Sequence, residues 1–361
     1  MKITKAILTG GGRATRLRPI TTTINKHLIP LANKPMIFHA IEKVVEAGVK
    51  DIFINTNPGE TQLQTVVGNG SRWGVRIYYF EQEGGPQGIA HVVNCAKKFI
   101  GDDPFMFYLS DNIILGSLVP FFYEFEKNKH DCMLAFSKVQ DPERFGVPVF
   151  DADGKLKDVL EKPNNPPNNF AVTGIYLYGP KIFFKAFEKI HPSTRGEYEI
   201  SDIHSIFLKE GKNVGWKEIT GWWKDTGKPE DLILANTLLL QEMKSSDFKN
   251  HAIEKNGTIL GNDVQIGQGT KVGSKVTFHG PVIIGDNCTL EDCEIGPFVT
   301  IGSGSKVHGA TISKSIIFSR CEVDANITIK HSIIGDQARV INNQHEKAHR
   351  LILGDQTLIE L

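Results

Sequence analysis

Over the first 240 positions, short apolar runs alternate with longer amphipathic stretches, the grammar of a layered α/β domain. Lys5 to Thr9 reads as a buried strand. Met36 to Ala47 reads as a helix, with Ile37, Ile41, Val44 and Val45 on one face and Gly48 placed to end it. Strands follow at "DIFINT" from Asp51, "VRIYYF" from Val75 and "FMFYLSD" from Phe105, with a helix at "IAHVVNCAKKF" from Ile89 between the last two. Further strands fall near Met133, Val147 and Val172, and helices near Ile182, Ile203 and Leu232; "KPNNPPNN" from Lys162 is a surface loop. Near residue 245 the pattern changes. After the polar "KSSDFKN", bulky residues recur every six positions at Leu260, Ile266, Val272, Phe278, Ile284 and Leu290. The register slips by one to Ile295, resumes at Ile301 and Val307, and continues more loosely through Ile312, Ile317, Val323 and Ile329. Glycine often follows the bulky residue, as at Gly261, Gly267, Gly273, Gly285, Gly296 and Gly302. A period of six is neither helix nor ordinary strand. It predicts a hexapeptide-repeat, left-handed parallel β-helix in which each hexad forms one side of a triangular coil. Glu346 to Leu361 leaves the period and is expected to cap the coil's open edge.

The 361 residues accommodate two cores, with expected bounds of 1–244 for the α/β domain, 245–257 for a linker and 258–361 for the coil and its cap. Forty-one basic residues balance forty-one acidic ones, so no global field favours nucleic acid or an anionic membrane. Any phosphate site must be a local cluster of charge. The five cysteines are scattered, and Cys288 and Cys293 do not have the spacing of a zinc knuckle; they read as reduced thiols of a cytoplasmic protein. The apolar stretch before Gly10 is too short for a signal peptide or a membrane span.

"AILTGGGRATRLRP", from Ala6 to Pro19, joins a strand-like run to three glycines and three arginines. Bare backbone followed by guanidinium groups suits a phosphate. The loop lacks the Gly-Lys-Ser/Thr end of a P-loop, and Thr15 stands where a dinucleotide fingerprint has its third glycine. Asp111 ends an apolar run, where open α/β sheets place ligands, and an acid there suits magnesium or simply caps a turn. Asp225 follows two tryptophans. Two carboxylates ~4 Å apart repel by roughly 4 kcal/mol at an effective dielectric near 20, a cost that a bound cation reverses. Lys26, Glu161, Lys162 and Arg195 each also have a plain reading as solvated or helix-capping charges.

Taken in order, "GGRATRLRP", "NKHLIPLANKPM", "EQEGGPQGIA", "LSDN", "LEKP", "FAVTGIYLY", "RGEYEISD" and "WWKDTG" resemble the sugar-1-phosphate nucleotidylyltransferases. Within them, the chain looks most like a glucose-1-phosphate thymidylyltransferase of the long form with a C-terminal coil. The resemblance implies a mixed, mostly parallel Rossmann-like domain and a role for each matching position. Gly11, Gly12 and Arg16 would hold the triphosphate, and Lys26 would stabilise charge as pyrophosphate leaves. Gln82 and Gly88 would contact the base. Asp111 and Asp225 would hold Mg2+. Gly146, Glu161 and Val172 would line the sugar pocket, and Lys162 and Arg195 would grip the sugar phosphate. Ala14, His27 and Phe145 stand where the family often has glycine, glutamine and tyrosine, differences that bear on the choice of nucleotide and sugar.

The expected reaction is attack of a sugar 1-phosphate on the α-phosphorus of a nucleoside triphosphate, dTTP or, as the alternative, UTP. Both reactants are polyanions, so the protein must neutralise and align them, and no general base is required. A homo-oligomer is expected, with neither nucleic acid nor membrane as partner. Two other readings compete: acyl transfer on the coil, for which His279 and His308 are present but no long loop interrupts the hexads, and a non-catalytic regulatory subunit, which the retained acids and bases argue against.

Overall fold

The structure is a computed structural model that describes residues 2–248, 258–260 and 263–342. Gly261, most of the expected linker (249–257) and the expected cap (346–361) lie outside the described residues. The chain forms two compact units, the first made of Met1–Arg13, Asn25–Leu28 and Met36–Asp225, the second of Ala14–Ile24, Ile29–Pro35 and Thr226–Leu361.

In the first unit the elements run β1 (Lys5–Leu8), α1 (Met36–Glu46), β2 (Asp51–Thr56), α2 (Gln62–Val67), β3 (Arg76–Glu81), α3 (Ile89–Cys95), α4 (Lys97–Ile100), β4 (Phe105–Tyr108) and β5 (Asn112–Ile114). They continue through α5 (Val119–Lys127), β6 (Cys132–Lys138), β7 (Gly146–Phe150), β8 (Leu156–Glu161), β9 (Phe170–Tyr178), α6 (Ile182–Phe187), α7 (Ile200–Lys209), β10 (Val214–Glu218) and β11 (Trp223–Asp225). Seven strands make one sheet in the order β10-β6-β9-β4-β1-β2-β3. Its pairs are parallel except where β9 runs antiparallel to β4 and β6. The central strands are apolar without alternation because both faces are covered: β4 is buried along its whole length. Phe107, Tyr176, Tyr178, Phe183 and Phe207 pack in the core on one side. The C-terminal ends of β1, β2, β3 and β4 lead into Thr9–Gly12, Asn57, Gln82 and Ser110–Asp111 respectively. Two small antiparallel pairs flank this edge, β7 with β8 and β5 with β11. The amphipathic runs foretell α1 and the main strands, whereas the three-residue β5 and β11 have no periodicity to announce them.

In the second unit, residues after 263 build three parallel sheets, with rungs such as Ile266–Ile284–Ile301–Ile317–Ile334, Phe278–Ile295–Ile312–Ile329 and Val272–Leu290–Val307–Val323–Val340 in register. This is the parallel β-helix that the hexads predict, and Ile266, Phe278, Ile284, Leu290, Ile295 and Ile301 are buried in it. A helix, α8 (Pro229–Glu242), and a tight hairpin pairing Leu31 with Lys34 belong to the same unit. Leu240, Phe248 and Ile283 form an apolar cluster with Ala32, Met243 and Phe298. The Asn33 amide donates to the carbonyls of Ile283 (3.3 Å) and Ile301 (2.8 Å), and Ala32 N–H donates to Asn236 (2.8 Å). Beginning of the same unit, Ala14 has a left-handed backbone (φ 44°) ahead of the short turn Thr15–Leu17, which explains why a glycine is the easier residue there.

Candidate active site

The glycine loop is held by asparagines. Gly10 N–H donates to Asn55 Oδ1 (3.0 Å), Gly12 N–H to Asn57 Oδ1 (2.8 Å), and Asn25 Nδ2 to the Gly10 carbonyl (2.8 Å). A Cβ on Gly11 would lie 2.7 Å from Asn55 Nδ2, so this glycine is required by packing against the end of β2. Among the described residues nothing accepts from Gly11 N–H, whereas Gly12 N–H is already engaged. Arg16 sits exposed in the turn Thr15–Leu17, and among the described residues no carboxylate pairs with Arg13, Arg16 or Arg18.

Asp111 follows β4, and its Oδ2 lies 2.5 Å from Lys26 Nζ; its Oδ1 accepts from Asn112 Nδ2 at 2.8 Å. Burial alone would raise this carboxyl, but the charge of Lys26, the neighbouring His27 and the two hydrogen bonds together hold it down to about 2. Asp111 is therefore an anion at neutral pH. His27 is buried, with its ring 3.0 Å from Asn25 Oδ1. Burial takes its pKa down to about 4, so it adds no charge at pH 7. The antiparallel pairing of β5 with β11 sets Asp225 opposite Asn112, the residue after Asp111. Trp223 ties the pair down: its indole N–H donates to Asn112 Oδ1 (2.8 Å) and to the Thr173 carbonyl (3.2 Å). Asp111 immediately before β5 and Asp225 on β11 are oxygen donors of the kind a hard divalent cation takes. Among the described residues no group of three or more potential ligands exists. A small donor set fits Mg2+, which keeps water and phosphate oxygens in its remaining positions.

Gln82, after β3, is buried and its Nε2 reaches the Gly88 carbonyl (3.3 Å) and His91 Nδ1 (3.1 Å). A Cβ on Gly88 would lie 2.6 Å from the Tyr198 carbonyl oxygen, so its glycine is required by the protein's own packing.

The sugar-side residues come together as well. Gly146 on β7 faces Glu161 on β8 in register, and a Cβ on Gly146 would meet Val172 at 3.5 Å. Lys162 has φ 44° and places Nζ 3.4 Å from Glu161. Arg195 reaches the same Glu161 (3.3 Å) while gripping Glu199 through two nitrogens (3.2 and 2.7 Å). Burial would lower the Arg195 pKa, but Glu199 and its acidic neighbours more than offset it. Phe145 meets Trp223 edge-on at 5.2 Å, linking this group to the acid pair. Asn55, Asn57 and His91 fall in none of the motifs, and Asn25, Asn112 and Trp223 fall within them with no role assigned from the sequence. Their partners lie up to 111 residues away, so a sequence window cannot register them.

The profile of the "Nucleotidyl transferase" family matches residues 5–242, and that of the "GMPPB C-terminal domain" matches residues 278–360. The chain belongs to the nucleotidyl transferase family. A low-salt glycan biosynthesis nucleotidyltransferase, Agl11, of Haloferax volcanii is 34% identical, with 99% of this chain and 100% of that protein covered. A glucose-1-phosphate thymidylyltransferase of Streptomyces antibioticus is 33% identical, with 99% of each chain covered. A Bacillus anthracis protein solved with sucrose, described as a candidate glucose-1-phosphate thymidylyltransferase, aligns with a TM-score of 0.62 at 37% identity, covering 66% of this chain and 96% of its own. The protein is thus a nucleotidyl transferase acting on a sugar 1-phosphate, in the long form that carries a C-terminal β-helix. Enzymes of this family work with a divalent metal. No helix among the described residues is long and apolar enough to cross a membrane.

Proposed function

We propose that the protein transfers a thymidylyl group from dTTP to glucose 1-phosphate, releasing pyrophosphate and forming dTDP-glucose. The observation that supports this reading is the strand pairing of β5 with β11, in which Asp225 lies opposite Asn112, the residue that follows the Lys26-paired Asp111. The full-length likeness to thymidylyltransferases supports the nucleotide and the sugar.

In this reading Asp111 and Asp225 hold Mg2+, which when bound neutralises charge on the attacked phosphate and the leaving pyrophosphate. Gly11 N–H, Gly12 and Arg16 bind the triphosphate. Lys26, held at this edge beside Asp111, would contribute positive charge to the phosphates. Lys162 and Arg195 hold the sugar phosphate, and the dianion draws them from Glu161 and Glu197 while Arg195 keeps the buried Glu199. The pairs given up are partly exposed and individually weak, so the exchange is inexpensive. The sugar phosphate is itself the anionic nucleophile, and alignment supplies the rate. Gly146, Glu161 and Val172 line the sugar. Gln82 Oε1 accepts from thymine N3–H, and Gly88 N–H, for which no acceptor lies among the described residues, donates to O4. Assembly as a homo-oligomer belongs to the same proposal.

The test is a matrix of dTTP, UTP, dCTP, ATP and GTP against glucose 1-phosphate and other sugar 1-phosphates, read by pyrophosphate release. dTTP with glucose 1-phosphate should give the highest kcat/KM, with UTP following, because one methyl is worth only about 1–3 kcal/mol. A purine triphosphate leading the ranking would refute the base assignment.

A further inference from the structure

The Gln82 amide is not free to present either end to a ligand. The Gly88 carbonyl can only accept, so the NH2 end of Gln82 must face it, at 3.3 Å. The second hydrogen of that NH2 group is then available to His91 Nδ1, 3.1 Å away, and this nitrogen must carry a lone pair. Gln82 Oε1 is left without a partner among the described residues. A donor-and-acceptor reading of the base by this amide, which its chemistry alone permits, is thereby reduced to an acceptor.

His91 is itself fixed. It lies on α3, three residues after Gly88, and its ring stacks on Tyr198 with centroids 6.0 Å apart and meets Phe187 at 6.5 Å. Cys95, one helical turn on, sits 3.8 Å from both ring nitrogens. Tyr198 also clasps the Gly88 segment, its N–H donating to Gln87 O (2.8 Å) and its carbonyl accepting from Ala90 N–H (3.3 Å). We propose that His91 is a positioning residue that determines base specificity: as the neutral Nε2–H tautomer it accepts from Gln82 and keeps Oε1, not NH2, turned to the base. This rests on the reading above, in which Gln82 faces the base. An acceptor at that point selects pyrimidines that carry N3–H, thymine and uracil, and rejects cytosine, whose N3 is an acceptor. A protonated His91 would donate from Nδ1, oppose the NH2 group and favour the turned amide, which discriminates in the opposite sense.

The groups facing His91 are Gln82, Glu83, Cys95, Tyr198 and Phe187. Burial lowers its pKa and Glu83 opposes that, so the neutral form prevails at pH 7 and the turn falls below the ordinary imidazole range.

The experiment uses the full-length enzyme with dTTP and dCTP competing in one reaction, so that effects common to both cancel. In His91→Phe, which keeps an aromatic ring beside Tyr198 but offers no acceptor, the dTTP/dCTP ratio of kcat/KM should fall about tenfold, through KM for dTTP, with kcat at saturating dTTP within about twofold. His91→Asn, whose Oδ1 accepts in place of Nδ1, should restore the ratio. As pH is taken below the ordinary imidazole range the ratio should fall more steeply in the wild type than in His91→Asn, where only protonation of cytosine N3 contributes. If the ratio is unmoved in His91→Phe while Gln82→Ala changes it, His91 does not orient the amide, though the base reading stands. If neither variant moves it, both readings fail. Should His91→Phe not fold, His91→Leu is read in its place, and an unmoved ratio there overturns the proposal.

Discussion

Asp111 stays ionised because Lys26 and its hydrogen-bond partners outweigh the cost of its burial, and that charge is what a metal requires. Asp111→Asn and Asp225→Asn should each lower kcat by about a thousandfold or more, in line with the loss of a metal ligand's charge at a phosphoryl-transfer site. Circular dichroism should remain native, since the amide fills the same volume. Asp111→Asn should also lose a little stability, because the Lys26 ammonium then lacks its counter-charge. Activity near wild type in either variant with Mg2+ present would remove that acid from the mechanism. Two buried histidines make a second prediction at this scale. Burial lowers His27 to about 4 and His204 to about 3, and among the described residues the hydrogen-bond partner of His204 is the Tyr178 hydroxyl, 2.9 Å from Nε2. Both bases bind protons in the unfolded chain before they do so in the folded one. Their contribution is complete above pH 6.5 and is lost progressively as pH falls from there to the folded values. By pH 5 the two together should cost about 4 kcal/mol of stability. The four tryptophans all lie in the first unit, so urea unfolding followed by their fluorescence isolates it. His204→Gln, which keeps a polar partner for Tyr178 and cannot titrate, should roughly halve the slope; an unchanged slope would acquit His204.

At the scale of elements, the site depends on a strand pair of three residues each. Trp223 holds β11 to β5 and to β9 through one indole N–H shared between Asn112 and Thr173. Trp223→Phe keeps the contact with Phe145 but leaves two acceptors without their donor. It should cost about 1–2 kcal/mol of stability and weaken apparent Mg2+ affinity several-fold, seen as a right-shifted metal titration of the rate. An unshifted titration would mean that β5 and β11 hold their register without it. The same pair shows where sequence reading stops. The long amphipathic runs make α1 and the central strands legible, and the six-residue period makes the coil legible, because each reports a regular geometry repeated many times. Asp111 is conspicuous at the end of an apolar run. The pairing that sets Asp225 opposite the next residue, Asn112, is invisible, since it is made by two short strands 111 residues apart at Asn112 and Trp223. The asparagines that brace the glycine loop are hidden for the same reason, as side-chain-to-backbone bonds across 45 residues leave no periodic trace. The burial of His27 beside Asn25 is likewise set by packing that the motif does not report.

At the scale of the whole molecule, the coil does more than follow the catalytic segment in the chain. The hairpin at residues 30–35 and α8 pack with it as one unit, through Ala32, Leu240 and Met243 against Phe248, Ile283 and Phe298, and through the Asn33 amide on two successive coil rungs. Cutting the chain after Met243 removes Phe248, Ile283 and Phe298 and both of Asn33's acceptors at once. Apolar surface around Leu240 and Ala32 is then returned to water, at roughly 25 cal/mol for each Å2. The truncated chain should therefore melt several degrees below the intact one. Because the stacked hexads also present flat faces suited to pairing with a second copy, its mass by light scattering should fall to a smaller oligomer. Asn33→Ala separates the two effects. It deletes only the amide bonds to the coil, so it should cost about 1–2 kcal/mol while the oligomer keeps its full mass. A truncated chain with unaltered Tm would show that the coil does not support the hairpin and α8. A truncated chain whose subunit number is unaltered would place assembly elsewhere, on the α/β unit.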